Sequence, residues 1–263
     1  MKRKLEVSEL IFKIISYVFL TVFAVSCLYP FLYAISAAVS GREAVEYGQI
    51  VLLPKAVQFE AFLGMFNNNM FWNSYTNTLF LTFFGTLWAM GFSILGGYAL
   101  SKKRLMFRKG FNFFLVFTMW FSAGLVPQYR NYLDTKEVFN SVGIMDDKWL
   151  VVIAMGMGAM NIILLRNAFE GVPAEIEEAA IVDGATEMQV LSKVYIPMSK
   201  STIATVALFF AISRWNGYFW ARQMISNLNE HPLQVFIRLK LEEFQDPDIM
   251  TGWSESYASD SVI

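Results

Sequence analysis

Five long apolar stretches dominate the sequence. They lie at about 14–37, 77–100, 111–126, 149–169 and 202–220. A helix needs about 20 mostly apolar residues to cross the hydrocarbon core of a membrane. The chain is also 56% hydrophobic and only 16% charged, whereas soluble domains carry roughly 25% charged residues. The sequence therefore predicts an all-α integral membrane protein with five visible spans.

The first stretch follows Lys2, Arg3 and Lys4, which is also how a secretory signal peptide begins. Its apolar run is longer than the usual apolar core of a signal peptide, and four further spans follow. We therefore interpret it as an uncleaved first span.

Positive charges in short loops predict the orientation of the spans, because Lys and Arg accumulate on the cytoplasmic side. Basic residues cluster in 1–13 and again in 102–109. Both segments should face the cytoplasm, and counting spans puts 170–201 on the same side. The loops at 38–76 and 127–148 should then face outward.

Small side chains recur at every fourth position of the second span. They are Gly85, Ala89, Ser93, Gly97 and Ser101. Such a row lets another helix approach closely, which is how membrane helices pack. The row predicts either a moving helix interface or static packing.

The sequence lacks the residues that several classes of function require. The net charge of −1 gives no basic footprint for nucleic acid. Cys27 and His231 are the only cysteine and histidine, so we expect no disulfide framework, no metal site and no cofactor. We expect Cys27 to be a small buried residue of an apolar run, and His231 to be an ordinary loop residue. No P-loop pattern is present either, so the chain cannot itself bind ATP in the manner of a P-loop protein.

The loop at 171–197 has the pattern of two short helices joined by a turn. Pro173 suits the first turn of a helix, and Gly184 can take the left-handed conformation that ends one. Thr186 precedes Gln189 by three residues, which is the spacing of a capping box for the second helix. The loop either lies on the bilayer or binds a protein. Its acidic character favours a protein, because helices that lie on membranes are usually rich in Lys and Arg.

The same loop resembles the EAA loop of ABC importer permeases. The matching positions are Glu178, Ala179, Ala180, Asp183, Gly184 and Pro197. Val194 and Ile196 stand where that family usually has Ile and Leu, and both changes are mild. Residues 97–102 and 215–219 are similar to the carbohydrate branch of these permeases, and in particular to its complex-oligosaccharide group.

The resemblance implies a six-helix permease core in the plasma or inner membrane, and the positive charges already place the N-terminus on the cytoplasmic side. It also implies three partners: a second permease subunit, a cytoplasmic ABC ATPase dimer and an extracytoplasmic solute-binding protein. The chain would be a permease subunit for sugars or oligosaccharides, and not itself an enzyme. The EAA loop (171–197) would act as a lever that couples ATPase motion to the spans, with Gly184 as its sharp turn.

The sixth span of that family is not visible in the sequence. A polar stretch at 227–260 follows the fifth span, and 256–263 resembles the approach to a further one. We therefore expect a single permease domain over 1–263 that is truncated at its C-terminus relative to the family.

Residues that could contact a sugar lie in the fourth and fifth spans. Trp215, Asn216 and Tyr218 offer the aromatic and amide groups that suit sugar rings and hydroxyls, although Trp and Tyr also anchor spans at the membrane interface. Arg214 is either a functional charge at membrane depth or a side chain that snorkels to water. Asn161 either lines the pathway or bonds to a neighbouring helix.

Three other functions remain as alternatives. An ABC permease for peptides or amino acids would share the EAA loop. A channel or secondary transporter would leave that loop unexplained. A membrane enzyme would need convergent acid, base or metal residues, which the spans almost lack.

Overall fold

The computed structural model describes residues 7–121, 123–143 and 147–245, and within these ranges all of the regular structure is helical. The helices are α1 (Val7–Ala38), α2 (Arg42–Glu46), α3 (Glu60–Phe66), α4 (Asn69–Ser101), α5 (Arg108–Trp120), α6 (Leu125–Val142), α7 (Asp147–Ala154), α8 (Ala159–Glu170), α9 (Ala174–Val182), α10 (Glu187–Met198), α11 (Lys200–Trp215), α12 (Tyr218–Met224) and α13 (Leu233–Gln245). A short 3₁₀ turn, Leu228–Glu230, precedes α13. The all-α prediction is confirmed.

Two helices, α1 and α4, are long and apolar enough to cross a membrane alone. Three bent pairs raise the number of spans in the described residues to as many as five, if each pair counts as one span. These pairs are α5 with α6, α7 with α8 and α10 with α11; the axes bend by 56° between α7 and α8 and by 86° between α10 and α11.

The third, fourth and fifth predicted spans are therefore not continuous helices, which corrects their predicted form. The third stretch breaks after Trp120, and the fourth breaks around Gly156, whose φ is +53°. The fifth breaks after Trp215, where Gly217 separates α11 from α12. The average hydropathy of a stretch does not reveal such breaks, because glycine can end a helix without making the stretch polar.

Two segments that lie outside the predicted spans contain helices. Helix α6 occupies most of 127–148 and ends at Val142, where Gly143 caps it with a φ of +68°. Helix α13 lies in the polar stretch that begins at Asn227. The stretch at 256–263, which resembles the approach to a further span, lies outside the described residues.

The chain divides into two compact units at Asn69. In the first unit, α1 exposes apolar side chains along its length, and Cys27 is exposed rather than buried. The prediction that Cys27 is buried is therefore not met within this chain. Lipid or another protein would have to cover α1. The end of α1 is held by Ser36, whose hydroxyl donates to the carbonyl of Leu52 at 2.7 Å.

The second unit contains two buried apolar clusters. One joins α4, α8, α10 and α11 through Ala89, Met90, Tyr98, Leu165, Phe169, Val190, Leu191, Tyr195, Val206 and Phe210. The other joins α4, α7, α12 and α13 through Leu81, Val151, Val152, Ala221, Met224, Ile225 and Val235. Helix α4 contributes to both clusters and is the central helix of this unit.

The predicted row of small residues on α4 is buried and packs against two other helices. A Cβ atom placed on Gly97 would lie 3.0 Å from Leu165 Cβ and 3.1 Å from the backbone nitrogen of Arg166 on α8. A Cβ atom placed on Gly85 would lie 3.0 Å from Cδ of Arg214 on α11. Gly97 therefore permits a close approach of α4 to rigid atoms of α8, whereas the neighbour of Gly85 is the flexible side chain of Arg214.

Candidate functional site

The EAA segment (171–197) folds as the predicted helix–turn–helix. Gly184 forms the turn with a φ of +81°. The Thr186 hydroxyl accepts from the backbone nitrogen of Gln189 at 3.4 Å, and the Gln189 side chain accepts from the nitrogen of Thr186 at 2.8 Å. The predicted capping box is therefore confirmed. Helix α10 contains a π turn at Leu191–Tyr195 and runs on to Met198, beyond Pro197.

Most of the residues that match the EAA pattern lie on the outer surface of this segment. Glu178, Ala179, Asp183, Gly184 and Pro197 are exposed, and Ala180 is half-buried. Two apolar side chains next to them are also exposed, Val182 by 87% and Met188 by 62%. The segment thus presents a mixed acidic and apolar surface.

The inner face of the segment is tied to the end of α4 by Lys102. Its ammonium lies 2.6 Å from Oε1 of Glu177 on α9. The same ammonium lies 4.3 Å and 3.9 Å from the ring centroids of Tyr98 and Tyr195. Tyr195 on α10 donates from its hydroxyl to Oε2 of Glu177 at 2.5 Å. We call these four residues the Lys102 cluster.

A second set of contacts lies beside the Lys102 cluster. Tyr98 donates from its hydroxyl to Oε2 of Glu187 at 2.8 Å, and Arg104 forms an ion pair with the same carboxylate. Glu187 is the first residue of α10. Both helices of the EAA segment are therefore held by residues at or just after the C-terminal end of α4.

An open cleft of about 770 Å³ lies between the EAA segment and residues 101–108. Acidic side chains of 170–178 and basic side chains of 102–108 line it together. Arg108 pairs with Glu170 across the cleft. The cleft therefore has walls of opposite charge.

The surroundings of Glu177 lower its pKa. Partial burial by itself raises the pKa of a carboxyl group. Hydrogen bonds from Lys102 and Tyr195, together with the positive charges of Lys102 and Arg104, outweigh that effect. The net result is a pKa of Glu177 below its ordinary value, so the cluster favours the ionised carboxylate.

In the sequence analysis, Lys102 served only as part of a basic cytoplasmic segment and Tyr98 only as part of a resemblance, and neither residue was brought together with Glu177 and Tyr195. One signal was available. The predicted topology puts the basic loop at 102–109 and the acidic loop at 170–187 on the same side, and loops of opposite charge on one side attract each other. Whether Lys102 or Lys103 contacts Glu177 depends on the rotation of the helix at the residue where α4 ends.

Arg214 is buried in the second unit. Its residue exposure is 7%, and its Nη2 donates to the carbonyl of Gly156 at 2.6 Å. Gly156 lies in the break between α7 and α8. Snorkelling is therefore the wrong interpretation in this structure. In the part of the chain that the structure describes, no carboxylate forms an ion pair with Arg214.

The other substrate candidates lie in different surroundings. Trp215 is half-buried and packs edge-to-face on Tyr75, with 6.4 Å between the ring centroids. The amide of Asn216 donates to the carbonyl of Ile212 at 3.1 Å, and Tyr218 is 39% exposed. Asn161 lies on α8 and is half-buried.

The structure brings Arg214 and Trp215 together around a small pocket that Met155 and Gly217 also line. Its volume of about 10 Å³ is about what one water molecule needs. A sugar ring therefore does not fit there in this conformation. Asn161, Asn216 and Tyr218 do not line this pocket.

His231 is not an ordinary exposed loop residue, which corrects the sequence interpretation. It is 5% exposed, and its Nε2 lies 3.1 Å from the carbonyl oxygen of Ile225. Burial lowers the pKa of His231, which favours the neutral ring. No group of three or more histidine, cysteine or acidic side chains is arranged for a metal ion in 7–121, 123–143 and 147–245.

Comparison with known proteins gives concordant matches. Residues 6–252 match the family described as binding-protein-dependent transport system inner membrane component. The polygalacturonan/rhamnogalacturonan transport system permease protein YtcP of Bacillus subtilis is 32% identical over 228 residues, which is 87% of this chain and 77% of that protein. The maltodextrin transport system permease protein MdxG of the same organism is 26% identical, over 88% of this chain and 80% of that protein.

A solved structure is similar as well. It is the crystal structure of a bacterial ABC transporter involved in the import of the acidic polysaccharide alginate. One of its chains is 42% identical to this chain and superposes with a TM-score of 0.82, covering 90% of this chain and 82% of that one. Two membrane-length helices, the EAA segment and these matches agree: the chain belongs to the family of binding-protein-dependent transport system inner membrane components.

Proposed function

We propose that this chain is one of two membrane-spanning permease subunits of an ATP-driven importer for oligosaccharides. The observation that carries the proposal is the EAA segment, whose outer face is exposed and whose inner face is bound to the central helix α4. A segment with one free face and one anchored face is suited to receive motion from a partner and pass it to the spans. The similarity to permease proteins for polygalacturonan and maltodextrin, and to a chain of an ABC transporter involved in alginate import, supports a carbohydrate substrate.

The EAA segment (171–197) would be the contact site of a cytoplasmic ABC ATPase. Glu178, Ala179 and Ala180 would form the docking edge, because two alanines allow close approach beside a charged side chain. Asp183 and Gly184 would hold the turn, and Pro197 would lie near the end of the second helix. The basic residues at 102–109 support a cytoplasmic location for this side of the membrane by the positive-inside rule, and the N-terminus would lie on the same side.

The remaining partners would be a second permease subunit and an extracytoplasmic solute-binding protein. The family description itself names dependence on a binding protein. Helix α1 exposes apolar side chains such as Phe12, Phe19 and Phe31 by about 70%, and these side chains need lipid or a partner helix around them.

The substrate pathway would pass Tyr218, Trp215 and Asn216 at the junction of α11 and α12. Tyr218 is exposed, and aromatic faces suit the apolar faces of sugar rings. Arg214 and Asn161 would line the pathway only after the break between α7 and α8 has moved, because the pocket beside Arg214 is too small for a sugar in this structure.

The test is assembly followed by uptake. The tagged chain is purified with its membrane partners in mild detergent and then reconstituted in liposomes with the ATPase and the binding protein. Oligogalacturonate, alginate oligosaccharide, maltodextrin and a peptide mixture are offered in turn. Uptake of an oligosaccharide that depends on ATP and on the binding protein is the expected result. Uptake of peptides alone would contradict the substrate class, and recovery without any ATPase would contradict the proposal itself.

One pair of variants separates docking from the substrate pathway. Glu178→Lys should abolish recovery of the ATPase, because it reverses the charge of the docking edge. Tyr218→Ala should leave recovery of the ATPase intact and reduce uptake. Equal ATPase recovery in both variants would contradict the docking role of Glu178.

A further inference from the structure

We infer that Lys102 is a positioning residue that locks both helices of the EAA segment onto the end of α4, so that a push on the segment moves α4 instead of bending the turn at Gly184. The inference rests on the proposed function and adds to it a specific connection between the ATPase contact site and the spans. It also makes Gly184 a turn whose angle is held fixed.

The first step is that two helices joined by a glycine turn do not hold a fixed angle by themselves. Glu177 lies on α9 and Tyr195 lies on α10, on opposite sides of Gly184. Lys102 contacts both, through a 2.6 Å ion pair and through an ammonium 3.9 Å from the ring centroid. The side chain of Lys102, at the end of α4, therefore bridges α9 and α10 across the turn at Gly184.

The second step is burial. The Lys102 side chain is 9% exposed and that of Glu177 is 17% exposed, whereas the exposed pair Arg42 and Glu46 on α2 is 87% and 55% exposed. Exposed pairs contribute little to stability. Removal of one partner from a buried, hydrogen-bonded pair leaves an uncompensated charge. Moving α9 and α10 apart at Lys102 therefore carries a high free-energy cost.

The third step is a second attachment on the same helix end. Glu187, the first residue of α10, accepts a hydrogen bond from Tyr98 on α4 and pairs with Arg104. Tyr98 also contributes its ring to the ammonium of Lys102. The two attachments lie at different points of the EAA segment, so they resist rotation of the segment as well as its translation.

The fourth step connects α4 to the rest of the second unit. Gly97 brings α4 into close contact with Leu165 on α8, and Gly85 does the same with Arg214 on α11. A displacement of the end of α4 is therefore passed to both helices, because closely packed elements transmit strain.

The experiment uses the complete importer in liposomes and measures two rates, oligogalacturonate uptake and ATP hydrolysis. Their ratio reports coupling, and a residue that only stabilises the fold changes the yield of complex without changing this ratio. The variants are Lys102→Met, Lys102→Arg, Glu177→Gln and Tyr195→Phe. Lys109→Met is the matched control, because Lys109 is an exposed lysine in the first turn of α5, within the same basic segment, and does not line the cleft.

In Lys102→Met and Glu177→Gln we expect the ATPase to remain bound, and the ATP hydrolysed per oligosaccharide to rise at least fivefold. Lys102→Arg should stay within twofold of the wild type, since arginine keeps both the ion pair and the contact with the two rings. Tyr195→Phe should lie between, since it removes only the hydrogen bond to Glu177. Lys109→Met should equal the wild type.

An unchanged ratio in Lys102→Met, or an equal rise in Lys109→Met, would overturn the inference. If Lys102→Met does not assemble, the ratios of Tyr195→Phe and Glu177→Gln decide in the same way. Failure of this inference and failure of the proposed function are distinguishable. In the first case the wild type takes up oligosaccharide and the variants stay coupled, whereas in the second the wild type itself neither binds an ATPase nor takes up oligosaccharide.

Discussion

The guanidinium of Arg214 on α11 donates a hydrogen bond to the carbonyl of Gly156, at 2.6 Å, in the break between α7 and α8. The end of a helix leaves carbonyl groups without partners inside the helix, and a cation near such an end is favourable. Arg214 thus stabilises an interruption that would otherwise leave a polar group unpaired in an apolar environment.

Replacement of Arg214 by lysine should destabilise the permease. Lysine keeps the charge, but its compact ammonium lacks the guanidinium fork that reaches Gly156 beside Gly85. The loss of a hydrogen bond to a charged group costs about 1.5–3 kcal/mol. The measurement is the Tm of the detergent-solubilised chain, with Arg130→Lys on α6 as an exposed control. Equal Tm values for Arg214→Lys and the wild type would contradict the prediction.

Gly97→Ala should loosen the contact between α4 and α8. The new Cβ atom would lie 3.0 Å from Leu165 Cβ and 3.1 Å from a backbone nitrogen, and rigid neighbours of this kind make overpacking cost about 1–3 kcal/mol. Gly96→Ala is the matched control, because there the nearest atom is Cγ2 of Ile162 at 3.6 Å. Thermal unfolding should separate the two variants, and a Gly97→Ala protein as stable as Gly96→Ala would refute the close contact.

Substitutions at Gly184 should rank by backbone preference and not by size. The space around its Cβ position is open, but φ is +81°. Residues with a Cβ atom pay about 1–2 kcal/mol for the left-handed conformation, and asparagine tolerates it better than others. We expect Gly184→Asn to keep most uptake and ATPase binding, and Gly184→Val to lose both. A Gly184→Val variant that performs as well as Gly184→Asn would contradict the assignment.

Glu177 should make the stability of the second unit depend on pH in the acid range. Its folded pKa lies below the ordinary value of 4.5, so the unfolded chain takes up its proton first as pH falls. The stabilisation is therefore fully present above pH 4.5 and is lost as pH falls through the lower folded pKa. The difference in Tm between the wild type and Glu177→Gln should be constant from pH 7 to 5 and shrink below pH 4.5.

The control for this pH dependence is Glu175→Gln, since Glu175 is exposed in the first turn of the same helix. Its Tm should differ little from the wild type at any pH. A difference for Glu177→Gln that grows on acidification would contradict the ion pair with Lys102.

Much of the fold followed from local signals. The apolar stretches, the capping box of Thr186 and the positive φ of Gly184 depend on residues that are neighbours in the chain. The small residues of α4 were identified because a period of four marks one face of a helix. The same signals missed the breaks at Gly156 and Gly217, where apolar composition continues across a change of direction.

The candidate site was predicted only in part. There is a physical reason why some of its features could be predicted from the sequence and others could not. Sequence alone determined the membrane class, the helix–turn–helix of the EAA segment and the resemblance to importer permeases, because periodicity, capping and motif spacing act over fewer than about 30 residues. Tertiary structure alone decided that Lys102 meets Glu177, 75 residues away, and that Arg214 meets Gly156, 58 residues away. Such pairs depend on the packing angles of whole helices and on where each one breaks, and no single stretch of the chain encodes these.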